Sequence, residues 1–121
     1  MQVSAQFLPG ESCPEEDHFF FAYQVRIANE GNDTTKLASR HFIIIDSEGE
    51  RHEVNGPGVV GETPTLGPGK VFEYTSFCPL RTRWGTMEGT YRMERQDGST
   101  FDATIGRFYL VADVPEASHQ V

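Results

Sequence analysis

Six residues, Gly56-Pro57-Gly58-Val59-Val60-Gly61, have the Gly-x-Gly-x-x-Gly spacing at which successive backbone amides can gather around a phosphate or carboxylate. In a nucleotide site that loop closes a buried strand and opens a helix, whose N-terminus adds its amides and dipole. Here the preceding Arg51-His52-Glu53-Val54-Asn55 reads as a short polar strand, and Pro64, Pro68 and Gly69 block a helix afterwards. Pro57 removes one amide, and no lysine follows to hold phosphates. The loop therefore reads as a connection between β-strands, its glycines permitting a tight crossover and Val59 and Val60 plugging the end of the core. Docking of a partner protein on this loop is a second reading, because binding residues favour loops on a rigid scaffold. Nucleotide or pyrophosphate binding through Gly56, Gly58, Val59, Val60 and Gly61 is a third.

Two histidines offer metal chemistry. If Ser47-Glu48-Gly49 turns a hairpin with Ile45 opposite Glu50, then His41 sits diagonal to His52 on one face, with β-carbons roughly 7 Å apart. Imidazoles at that range could share a cobalt or zinc ion, with Glu50 the only near third ligand; a slip of one residue sends them to opposite faces. The acidic stretch Pro9–Asp17 with His18 could attract magnesium, yet one wet loop holds that ion weakly. Arg81, Arg83 and Trp84 combine two guanidinium groups with an indole, the residue types that anchor protein interfaces; the alternative is an indole folded back over the core with the arginines reaching water. Cys13 and Cys78 form no Cys-x-x-Cys pair, and both are expected as free thiols, Cys78 as a small filler at a strand end. No serine stands in a strand-to-helix elbow and no catalytic residue is assigned. Neither an enzyme nor a cofactor is expected.

The 121 residues suit one domain, expected over residues 1–115 with a disordered tail at 116–121. Eighteen acidic against ten basic side chains give a net charge of −8, which repels nucleic acid and anionic lipid. No apolar run approaches the roughly 20 residues that cross a bilayer, and the opening lacks a charged-then-apolar leader, so a soluble cytoplasmic protein is expected.

What must position these groups is a set of strands. Apolar and polar residues alternate over Gln2–Leu8, His18–Asn29, Lys36–Ile45, Arg51–Asn55, Lys70–Phe77, Thr86–Gln96, Ser99–Ile105 and Arg107–Ala112, and no segment has helical periodicity. Turn-formers separate them, with Asp97-Gly98 suited to a two-residue hairpin turn. The unbroken run Phe42-Ile43-Ile44-Ile45 predicts a strand covered on both faces. About eight short strands with frequent turns predict an antiparallel β-sandwich of fibronectin type III or immunoglobulin-like class, with an up-and-down barrel as the rival. The predicted core is Phe19 or Phe21, Tyr23, Val25, Ile27, Ile43, Val71 or Phe72, Tyr74, Tyr91, Phe101 and Phe108. Gly85 and Gly89 are expected where backbones approach closely or bulge.

The run from Asn55 to Gly69, then Phe72-Glu73-Tyr74-Thr75-Ser76, Cys78-Pro79-Leu80 and Gly85-Thr86-Met87-Glu88-Gly89-Thr90-Tyr91, resembles the ApaG family, as do Phe20–Gly31 and Ser39–Asp46. The likeness covers roughly Val3 to Ala112. Phe42, Phe77, Trp84, Gly106 and Asp113 depart from the family pattern, and the departures concern packing and the last strand. The resemblance implies a fibronectin-III-like sandwich, found alone in bacteria and also appended to F-box proteins and to a polymerase-interacting protein. It implies protein binding and a link to cobalt resistance and magnesium efflux, and it supplies no catalytic residue. The expectation is a non-enzymatic interaction module with a protein partner, no nucleic acid and no membrane insertion; the alternative is a divalent-metal-binding regulator using His41 and His52. A homodimer remains an alternative, since exposed sheet edges can pair.

Overall fold

Alternating side chains on an extended backbone bury one face of each strand, and two such faces meet here. The computed structural model describes residues 1–112; the expected boundary at 115 and the tail 116–121 lie outside the described residues. The strands are β1 Gln2–Phe7, β2 Phe19–Ala28, β3 Thr35–Asp46, β4 Arg51–Pro57, β5 Thr65–Leu66, β6 Val71–Leu80, β7 Trp84–Arg95 and β8 Thr100–Val111. The described helical structure is two single turns of 3₁₀ helix, Pro9–Glu11 and Pro14–Glu16, between β1 and β2. No helix among the described residues is long and apolar enough to cross a membrane.

All pairings between these strands are antiparallel. One sheet runs β1-β2-β6 and the other β4-β3-β7-β8, with β5 continuing the β4 row beside β3. This is the three-against-four layering of a fibronectin type III or immunoglobulin-like sandwich, as the alternation predicted. The sheets close with β1 beside β8. Asn29 secures one end: its Nδ2 donates to the Leu66 and Asp33 carbonyls at 2.9 and 2.8 Å, and its Oδ1 accepts the Gly31 amide.

The core joins both sheets through rings. Tyr23 and Tyr74 come from one sheet, Phe42 and Tyr91 from the other, and all are buried. Across the sheets Tyr23 meets Phe42 edge to face at 6.3 Å and Tyr74 meets Tyr91 at 6.5 Å, and within one sheet Phe42 meets Tyr91 at 5.7 Å. Each such contact adds about 0.5–1.5 kcal/mol beyond the area buried. The Tyr74 and Tyr91 hydroxyls bond to each other, so neither polar tip is left unsatisfied.

Several expectations needed correcting. Phe42, not Ile43, points into the core, because one extra residue at Ala38 in β3 shifts the alternation between Leu37 and Ser39. Ile43 and Ile45 lie half-buried on the outer face. Val71 is exposed, while Phe72, Phe101 and Phe108 only flank the core; Leu37, Met87, Met93, Ile105 and Leu110 fill it. The two last predicted strands are one strand through Gly106, where Gly106 and Arg107 bulge opposite Glu88. The turn at Asp97-Gly98 has three residues, since Arg95 pairs with Ser99 and Gly98 adopts φ 87°. Both cysteines are free, and Cys78 is a buried filler as expected.

Gly89 lets β3 approach β7. An added β-carbon there would lie 2.5 Å from the His41 carbonyl oxygen and 2.5 Å from the Phe42 ring. Gly89→Ala is expected to destabilise the fold by about 2–3 kcal/mol, read from the urea midpoint. Burial raises the pKa of Tyr23, Tyr74 and Tyr91 in the folded chain. Their contribution to stability is therefore whole below the unfolded value of about 10 and is lost as pH climbs from there towards the folded values. In an alkaline titration, tyrosinate absorbance from these three should appear together with loss of tertiary circular dichroism and not before it.

Candidate functional site

The glycine loop is committed to its own structure. Gly58 donates to the Ala38 carbonyl at 2.9 Å, Val59 donates to Glu62 at 2.8 Å and Glu62 returns a bond to Val59 at 2.9 Å. Val60 and Gly61 thus form the corner of a two-residue hairpin turn, both with positive φ, 44° and 81°. Three amides that an anion would need are already donated. A β-carbon on Gly58 would lie 2.0 Å from the Glu62 carbonyl oxygen, so glycine is required there for close approach. Val59 plugs the core at 1% exposure, as expected, but Val60 stands out at 49%.

Arg40 holds this loop from the inner face of β3. Its Nη1 donates to the Gly58 and Pro57 carbonyls at 2.9 and 3.1 Å, and its guanidinium passes over Gly56, where a β-carbon would crowd it at 3.0 Å. The same charge opposes the rise in pKa of Tyr23, Tyr74 and Tyr91 that burial causes. Arg40 was not singled out from the sequence. The signal was available, since it alternates with Phe42 and Ile44 at a position where an arginine must find carbonyl partners.

Between the sheets, on the side away from β1 and β8, lies a cleft of about 1110 Å³. Phe42, Ile44 and Val54 line it from β3 and β4, Ser76 and Cys78 from β6, and Tyr23 from β2. Glu16, Asp17 and His18 flank it from the β1–β2 connection, and Glu48 and Glu50 from the β3–β4 turn with His52 from β4. Arg81 and Thr82 also line it, with Thr82 Oγ1 accepting the Ser47 amide at 3.1 Å. The cleft is thus bordered by Arg81, one of the predicted site residues, and by the arginine that secures the glycine loop. Its floor comes from residues the sequence reading treated as core or strand.

The proposed histidine pair does not form. Asp46 closes the β3–β4 turn: its amide donates to Glu50, and its Oδ1 accepts the Glu48 and Glu50 amides at 2.9 and 3.0 Å. The loop therefore holds three residues, Ile44 opposes His52, and His41 opposes Asn55. This is the one-residue slip, and it places His41 on the outer face and His52 on the inner. His41 Nε2 lies 2.7 Å from Glu53, and that bond, followed by the charge of Arg51, lowers the Glu53 pKa. His52 lies 3.6 Å from Glu50. Among the described residues no cluster of three His, Cys, Asp or Glu side chains is arranged to hold a metal ion.

Trp84 stands on the outer face of β7, not folded over the core. It is 45% exposed and packs 6.5 Å from Tyr109, itself 61% exposed, with Val111 as its cross-strand neighbour. Ile45 opposes Thr86, which opposes Tyr109, so an apolar strip crosses this face. Arg83, next to Trp84 in the chain, is exposed, and so is Arg81, which lines the cleft instead. Tyr109 and Val111 were not picked out from the sequence, since only the β7–β8 register brings them to Trp84.

A sequence profile described as the ApaG domain matches residues 9–95. "Protein ApaG" of Methylobacterium nodulans is 54% identical over 113 residues, spanning 93% of this chain and 85% of that protein. Its counterpart in Anaeromyxobacter dehalogenans is 55% identical over 109 residues, 90% of this chain and 86% of its own length. A crystal structure from Bordetella pertussis, described as an ApaA protein, superimposes with a TM-score of 0.90 at 45% identity, covering 93% of this chain and 91% of that one.

Positive φ at a β-branched residue is strained by about 1–2 kcal/mol, whereas asparagine tolerates it. Val60→Asn is expected to raise stability by roughly 1 kcal/mol, measured as an upward shift of the urea midpoint.

Proposed function

The chain belongs to the ApaG family, and on that footing we propose that it is a non-enzymatic protein-interaction module of the cytoplasm, connected with divalent-cation homeostasis. The observation that carries the reading is the uncovered outer face at Trp84, Tyr109 and Val111. An antiparallel sheet normally keeps its outer face polar. Exposed tryptophan and tyrosine beside an arginine are the residues from which interface hot spots are made. A protein partner covering this strip is the reading adopted, and a second copy of the chain is the alternative occupant.

Candidate catalytic groups are held in structural roles, which supports the non-enzymatic part. Burial pushes the Cys78 thiol up to about 11, so at neutral pH it is not a thiolate nucleophile. His41 is engaged by Glu53 and faces away from the cleft. With His41 and His52 on opposite faces, the link to cobalt and magnesium is proposed to run through the partner's activity and not through an ion shared by these side chains.

Affinity capture from the native host tests this. The unaltered chain should retain a specific partner, and Trp84→Ala with Tyr109→Ala should reduce its recovery at least about tenfold. Both side chains are exposed, so the urea midpoint should move by no more than about 0.5 kcal/mol equivalent. Equal recovery by the double variant would refute the surface. Sedimentation of the purified chain reads the alternative, a dimer dissociated by the same substitutions.

A further inference from the structure

The cleft between the sheets has on one wall a strand edge that is unpaired among the described residues, and it has an acidic mouth; we propose that it takes an extended peptide bearing lysine or arginine, paired as an added strand beside β6. This site lies on the inner side of the sandwich, so the proposal does not depend on the Trp84 surface.

The geometry begins with a missing layer. The β1-β2-β6 sheet closes against β8 through β1, and among the described residues its three strands leave β4 of the other sheet without one opposite. Val54 and His52 of β4 share a face with buried Phe42 and half-buried Ile44, yet both are exposed. A strand next to β6 would cover them. The volume of about 1110 Å³ slightly exceeds the ~300–1000 Å³ typical of small-molecule sites, and the cleft runs open along a strand.

The edge is ready for pairing. Leu8 donates to the Phe20 carbonyl at 2.9 Å, so even-numbered residues of β2 turn their backbone groups to β1 and odd-numbered ones to β6. Phe21 then bonds with Cys78, Tyr23 with Ser76 and Val25 with Tyr74. Glu73, Thr75, Phe77 and Pro79 consequently direct theirs away from β2, toward the unpaired edge. Pro79, which has no amide to offer, falls in that set, as an edge proline must. Thr75 and Phe77 present both donor and acceptor to an incoming strand. Side chains alternating along that strand would enter over Ile44 and Val54, the mode by which extended peptides extend a sheet.

Charge selects the occupant. Glu16 and Asp17 border the cleft from the β1–β2 connection, and Glu48 and Glu50 border it from the β3–β4 turn. Arg40, the cation on the floor, is already bonded to the Pro57 and Gly58 carbonyls and offers no socket to an anion. Arg81 and the two histidines leave the lining net negative, and the chain as a whole carries −8. An acidic peptide is repelled, whereas apolar residues alternating with lysine or arginine match both floor and mouth.

Selection of displayed random nonapeptides on the intact chain, followed by titration of the strongest synthetic peptide into ¹⁵N-labelled protein, tests this. The selected sequences should alternate apolar residues with lysine or arginine. The peptide should protect the Thr75 and Phe77 amides from exchange and shift Val54 and His52, and its affinity should fall about tenfold from low to 0.5 M salt. Thr75→Pro, which removes an edge donor without touching the β2 ladder, should weaken binding about tenfold. Glu48→Lys with Glu50→Lys, both exposed and safe for folding, should do so at least as strongly. An acidic or uncharged consensus, no enrichment, or unchanged affinity in the Glu48/Glu50 variant would overturn the proposal. Perturbations centred on Trp84 and Tyr109 would also overturn it while leaving the outer surface intact as the partner site.

Discussion

The sandwich depends on the meeting of four rings at its centre, Tyr23 and Tyr74 from one sheet against Phe42 and Tyr91 from the other. Two sheets with apolar inner faces attract over any relative placement, because burial is non-directional. The edge-to-face contacts and the Tyr74–Tyr91 hydroxyl bond are directional, and they fix how the layers sit. Arg40, near these phenols, spends its donors on the carbonyls of Pro57 and Gly58, so the centre of the core and the glycine loop are coupled through one side chain.

Closing the sandwich at β1 and β8 has a consequence on the opposite side. Three strands cannot cover four, and the uncovered strand is the one carrying His52 and Val54. The cleft is thus an outcome of strand number rather than of any loop. The outer aromatic strip arises differently, from the β7–β8 register that sets Trp84 beside Val111 and Tyr109. The molecule offers two surfaces of unlike character, one flat and aromatic, the other recessed, acidic and edged by unpaired backbone.

Much of the architecture was legible from the chain. The alternation of Phe19, Phe21, Tyr23, Val25 and Ile27 identified an inner face that is buried as read, and the absence of helical periodicity matched a described fold of strands. The glycine loop joins strands because Pro64 and Pro68 exclude a helix on local grounds. Errors clustered where one residue of register matters. Ala38 shifts the phase of β3 and exchanges Phe42 for Ile43 in the core, and Asp46 shortens the next turn and parts His41 from His52. Neither effect has a composition signal, since each depends on which backbone group an amide finds.

Composition, alternation and turn residues by themselves determined the all-β class, most strand positions, the family likeness and the structural use of the glycines, because these follow from local sterics and the period of the backbone. The tertiary structure alone decided which side chains share a face, which edge is left unpaired and which charges meet across a cleft. A strand's partners lie tens of residues away, and a slip of a single position reverses every side chain it carries.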